Sequence, residues 1–158
     1  MIERLGLEPL PGEGGYFRRT WAGPPTAGRP AGTAILFLMT EQDFSALHRC
    51  DADEVWLFQA GDPIEHVQLG PTPGEISVAT LGTNVLGGHS PQVIARAGAW
   101  QGARLVSSGF GAGWALLGCT MSPGWWEKGF ELGRREELLT AYPKAAWHIR
   151  ALTRGDGF

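Results

Sequence analysis

The chain has 158 residues, 13 basic and 16 acidic side chains, a formal net charge of −3 and a charged fraction of only 18%. That length bounds it to a single domain, residues 1–158, which can bury roughly two thirds of its unfolded surface without staples. The mild acidity excludes the concentrated basic face that a nucleic-acid partner needs, and the longest apolar run, Ala34 to Met39, is far short of the ~20 residues of a membrane helix.

Two cysteines, Cys50 and Cys119, make no disulfide framework and point to a reducing, cytoplasmic setting. The opening Met1-Ile2-Glu3-Arg4 lacks the basic-then-apolar order of a signal peptide.

In chain order, Ile2 to Leu7 reads as a short helical segment stopped by Pro9 and Pro11-Gly12. Gly14-Gly15 opens a strand, Tyr16 to Trp21, whose alternation sets Tyr16, Arg18 and Thr20 against Phe17, Arg19 and Trp21. The polar set is expected to border a site. Gly23 to Gly32 is an exposed loop, and Thr33 to Thr40 a buried strand. Further strands are expected at Glu54 to Ala60, Pro63 to Leu69, Ile76 to Leu81, Gln92 to Ala95, Ala103 to Ser107 and Trp114 to Met121. Short strands with turn signals every ~8–12 residues predict an all-β sandwich or barrel. Arg134 to Leu139 and Pro143 to Thr153 then read as helices that cover one end or one outer face. The glycine runs 12–15 and 109–113 are turn chemistry, with no G-K-[ST] to make a phosphate loop.

One stretch concentrates the chemistry: His48-Arg49-Cys50-Asp51-Ala52-Asp53-Glu54-Val55-Trp56-Leu57-Phe58-Gln59-Ala60-Gly61. On its strand, Glu54, Trp56 and Phe58 share a face, so an acid begins an otherwise aromatic surface. Burying a carboxylate costs several kcal/mol unless it is paired, and His48 is the nearest partner in sequence.

The spacing of His48, Glu54 and Gly61 resembles the first cupin motif, G-x5-H-x-H-x3-E-x6-G, with Cys50 at the second histidine and Gln42 at the leading glycine. The second motif, G-x5-P-x-G-x2-H-x3-N, falls on Ser90 to Leu105, keeping Gly98 and placing Gln101 where the histidine would be. Segments 13–21, 45–63, 91–105, 115–125 and 130–143 together resemble one branch of that superfamily, the DUF985 or Cupin_5 family. The resemblance implies a cupin jelly roll and a homodimer formed partly by exchange of edge strands.

In cupins the two histidines and the glutamate of the first motif, with the histidine of the second, surround a divalent metal. Here His48, Glu54 and Cys50 remain as ligand types that suit Fe, Zn or Ni, while Gln101 is a poor ligand. A metal-free site is the expectation. Without metal, the same histidine and acid suit proton transfer: His48 as base, Glu54 as its orienting partner and Tyr16 as acid, by analogy with cupin-fold sugar epimerases. Arg18, Trp56, Phe58, Trp100 and Gln101 are the expected contacts to a small polar ligand, sugar-like or bearing a carboxylate or phosphate. Three functions stay open: an isomerase or epimerase, a metal-dependent oxygenase or hydrolase, and a non-catalytic binding or storage protein. For His48 and Glu54 the competing reading is a hydrogen bond that merely satisfies a buried charge.

Overall fold

The computed structural model describes residues 1–106 and 111–155. The expected strand end at Ser107 and part of the 109–113 turn therefore lie outside the described residues. A four-residue helix, α1 (Ile2–Leu5), closes on Gly6 in the left-handed conformation. The strands that follow are β1 (Glu8–Pro9), β2 (Tyr16–Ala22), β3 (Pro25–Thr26), β4 (Arg29–Pro30), β5 (Thr33–Thr40), β6 (Ser45–Cys50) and β7 (Glu54–Gly61). After them come β8 (Ile64–Leu69), β9 (Ile76–Leu81), β10 (Gln92–Ala95), β11 (Trp100–Leu105), β12 (Trp114–Met121) and β13 (Phe130–Leu132). The helices α2 (Arg135–Ala141) and α3 (Ala146–Ala151) follow, with a 3-10 turn at Pro143–Ala145 between them. Pro143 occupies the first position of that turn, where its missing N–H costs nothing.

Two antiparallel sheets face each other, ordered β1-β2-β5-β12-β7-β10 and β13-β6-β11-β8-β9. This is the jelly-roll sandwich expected. The apolar alternation of β5, β7, β8 and β12 sends Phe37, Met39, Trp56, Ile64 and Leu117 between the sheets. The opposite face of the second sheet is sealed as well: Leu47, Val67 and Leu69 meet Leu138, Tyr142, Ala145, Ile149 and Leu152 from the C-terminal helices. Each such fully buried aliphatic side chain contributes about 1.5–3 kcal/mol.

Several details depart from the sequence reading: β11 begins at Trp100 rather than Ala103, and β13 stands where no strand was expected. The segment at Ser45 is a full strand, β6, and residues 25–30 form a small hairpin inside the expected loop. The alternation of β2 also breaks: a bulge between Arg19 and Trp21 inserts Thr20, so Trp21 swings to the outer side and is 54% exposed.

Candidate functional site

A cavity of about 460 Å³ opens between the sheets, within the range of small-molecule sites. Phe17 and Arg19 reach it from β2, Phe37 from β5, His48 and Cys50 from β6, and Glu54 and Trp56 from β7. Trp125, Glu127 and Phe130 also line it. The wall is thus ring-lined, and two of its acids flank one imidazole.

His48 is 2% exposed, and its ring stacks on Phe130 at 5.3 Å. Its Nδ1 lies 2.8 Å from the backbone oxygen of Ala46; a carbonyl only accepts, so Nδ1 carries the proton and Nε2 is left to the site. Two carboxylates flank the ring, Glu13 Oε1 at 3.8 Å from Nδ1 and Glu54 Oε2 at 4.0 Å from Nε2. Both gaps are too long for a hydrogen bond but short enough for strong attraction in a dry setting. Burial works against charge on the imidazole, yet the two acids outweigh it and raise its pKa to about 9.

Glu54 is held by a chain that runs in one direction only. The Trp56 indole N–H can only donate, and it donates to Gln101 Oε1 at 2.8 Å. That fixes the amide's orientation, so Gln101 Nε2 donates to Glu54 Oε2 at 2.7 Å. Behind this chain sits His66, 1% exposed, packed edge-on against Trp56 at 4.9 Å with neither ring nitrogen hydrogen-bonded. Burial lowers its pKa to about 4, which keeps it neutral.

Glu13 arrives by a different route. It sits in the 10–15 loop, where Gly14 has φ 103° and any Cβ would collide with the Phe44 carbonyl and the Arg154 guanidinium. Its carboxylate accepts from Ser45 Oγ at 2.8 Å. Arg154, from beyond α3, donates to the carbonyls of Gly12 and Glu13 at 3.0 Å each and to Asp43 Oδ1 at 2.8 Å. The end of the chain thereby clasps the loop that delivers the acid. Burial raises the pKa of Glu13, the Glu54 charge adds to this, and His48 opposes it.

The expected residues divide into two groups. His48, Cys50, Glu54 and Trp56 line the cavity, and Gln101 lies buried behind Glu54 as a positioning residue with both ends of its amide engaged. Phe58 packs against the core without lining the cavity. Tyr16, Arg18 and Trp100 stand elsewhere. Tyr16 and Arg18 sit on the outward side of β2, because Phe17 and Arg19 point in. Trp100 precedes inward-facing Gln101 on β11, so it faces outward, packing beside the C-terminal helices with the Arg49 guanidinium 4.6 Å from its ring. Sequence reasoning missed Glu13 and Arg19. A glutamate among turn glycines carries no periodic signal, and alternation divides Arg18 from Arg19 without saying which side is inward.

The Cupin_5 sequence pattern, the DUF985 branch of the cupin superfamily, matches residues 1–133. The chain belongs to the Cupin_5 family. A protein from Shewanella oneidensis solved by X-ray crystallography is similar over 97% of this chain and 94% of its own, at 32% identity and a TM-score of 0.88. A hypothetical protein from Leishmania major is similar over 96% of both chains, at 30% identity and a TM-score of 0.87. Oxalate decarboxylase from Bacillus subtilis is a distant likeness, 10% identical with a TM-score of 0.59 over 92% of this chain and 37% of its own, and shares the fold alone. No curated protein matches the sequence.

Cupins hold divalent metals, and this Cupin_5 chain brings ligand atoms of His48, Cys50 and Glu54 within 4.8 Å of one another. Imidazole, thiol and carboxylate together fit a zinc-type ion. Gln101 adds no fourth ligand, since both ends of its amide are engaged. Burial, with Glu54 and Glu13 adding to it, pushes the Cys50 thiol well up, so an ion would have to displace its proton. Among the described residues, no helix is long and apolar enough to cross a membrane.

Proposed function

We propose that this Cupin_5 protein binds a small polar organic molecule inside the barrel and moves a proton on it, in the manner of an isomerase or epimerase. One observation carries the reading: a fully buried imidazole borders a ligand-sized cavity between two carboxylates at 3.8 and 4.0 Å. With its pKa raised to about 9, His48 rests as the imidazolium and enters the cycle as the acid. It gives its Nε2 proton to a carbonyl oxygen of the ligand, and the neutral imidazole, with Nδ1–H still on Ala46, takes a proton from the adjacent carbon as base, leaving the enol and restoring the imidazolium. Glu54, fixed by Gln101, stabilises the charged form, while the Ala46 carbonyl and the Phe130 ring keep the imidazole in place. The ring-lined wall excludes water from these transfers.

The test is deuterium incorporation from heavy water into a panel of small carbonyl compounds, followed by NMR. Wild-type protein is expected to label at least one, and His48→Gln, less stable than the wild type but folded by circular dichroism at the assay temperature, to stop labelling. Unchanged labelling in the variant removes His48 from the reaction.

The cluster of His48, Cys50 and Glu54 favours a second reading, a metal-dependent oxygenase or hydrolase. An ion held there would supply Lewis-acid polarisation of a bound oxygen. Elemental analysis of tag-free protein decides it: near-stoichiometric metal supports this reading, and a trace removes it. We also read the chain as a cytoplasmic homodimer, supported by its two free thiols and by β10 at the edge of its sheet, where Ile94 is 39% exposed. Light scattering at the elution peak should give twice the 17.0 kDa chain mass.

A further inference from the structure

We propose that Arg19 receives a carboxylate, so that the cavity's ligand is a monocarboxylate whose apolar body lies along the rings and whose reactive oxygen reaches His48. The assignment of the reactive end rests on the proton-transfer reading above; the carboxylate end stands on its own observations.

Arg19 lines the cavity from β2, and its guanidinium carbon lies 5.7 Å from the ring of Trp125, another lining residue. Trp125 is fixed in turn by its backbone N–H, which donates to Thr33 Oγ1 at 2.9 Å. Stacking of this kind pre-orients a planar cation without consuming its N–H donors. Arg29, Arg49 and Arg154 all spend their forks on acids of this chain. Among the described residues Arg19 has no acid within ion-pair distance, so its donors remain free for a ligand. A carboxylate suits that fork because two parallel N–H···O bonds can form at once.

The rest of the lining orients the ligand and limits its charge. Glu13 and Glu54 repel an anion from the imidazole end, which leaves the Arg19 side for the negative group. Glu127 lines the same cavity, so three acids face two basic groups, Arg19 and His48. A dianionic phosphate would meet that excess at double charge, whereas a single carboxylate is balanced by Arg19. Phe17, Phe37, Trp56 and Phe130 line the same cavity and present an apolar surface to the body of the molecule.

The experiment is calorimetric titration of the full chain at low salt with 3-phenylpropionate, the neutral 3-phenylpropanol and 2-phenylethyl phosphate. Arg19 is solvent-exposed at the cavity wall, so wild-type protein should bind the carboxylate about three- to tenfold more tightly than the alcohol, as a charge-assisted but partly screened pair implies, and more tightly than the phosphate. Arg19→Met should bring the carboxylate down to the alcohol's affinity and leave the alcohol unchanged. Arg18→Met, altering the outward neighbour, should change neither. Equal wild-type affinity for acid and alcohol, a preference that survives Arg19→Met, tighter binding of the phosphate, or no binding of any probe would each overturn the assignment. Should the carboxylate preference hold while no carbonyl compound takes up deuterium, proton transfer fails and the Arg19 site stands.

Discussion

Two acids flank His48, and the structure holds them by opposite means. Glu54 stands on a central strand and is gripped by an amide that a donor-only indole has turned, so its Oε2 can do nothing but accept. Glu13 rides on a glycine turn, and its side-chain partner is the Ser45 hydroxyl, which rotates and can serve as donor or acceptor. The difference separates a carboxylate held in one orientation from one whose partner can turn.

The comparison can be broken most severely at the fixed side. Gln101→Leu leaves the Trp56 N–H and the Glu54 oxygen buried and unpaired, which should cost about 3 kcal/mol in urea unfolding. A loss no greater than that from Ser45→Ala would mean that the chain from Trp56 to Glu54 grips nothing.

Acidity provides a more general perturbation of comparable size. Because His48 binds its proton more tightly when folded, the stability it lends is fully present below 6.5 and is lost as the pH rises through about 9. Urea midpoints should fall across that window in the wild type. The fall should be shallower in Glu13→Gln, which removes the larger attraction. On the adaptable side, Ser45→Ala deletes one hydrogen bond and should cost about 1 kcal/mol. Least costly is Arg154→Met: the clasp is part-exposed, and its loss should lower stability by under about 1 kcal/mol. It should nevertheless speed amide exchange in residues 12–15, which Ser45→Ala would do less.

The same contrast explains what the sequence discloses. His48, Glu54 and Gly61 sit at fixed offsets on strands consecutive along the chain, one in each sheet, so a linear pattern captures them, and strand alternation correctly pairs Glu54 with Trp56. The jelly roll was legible for the same reason, since each sheet is built from short alternating runs. Gln101 was found by position, but its role depends on Trp56, 45 residues away, which spacing alone does not reveal. Glu13 depends on Ser45 and Arg154 from distant parts of the chain. Arg19 was separated from Arg18 by alternation, yet choosing the inward one requires the sheet's partner. The bulge that turns Trp21 outward arises from pairing with β5 and leaves no mark in the residues of β2.

Cys50 and Cys119 both border the cavity, and both thiols are kept protonated by burial and the acids nearby. Any alkylating reagent must therefore enter the hollow itself and meet a sluggish sulfur there. The rate of that modification becomes a built-in occupancy gauge: a compound that fills the barrel shields both sulfurs, and a library can be screened for protection before any reaction is known.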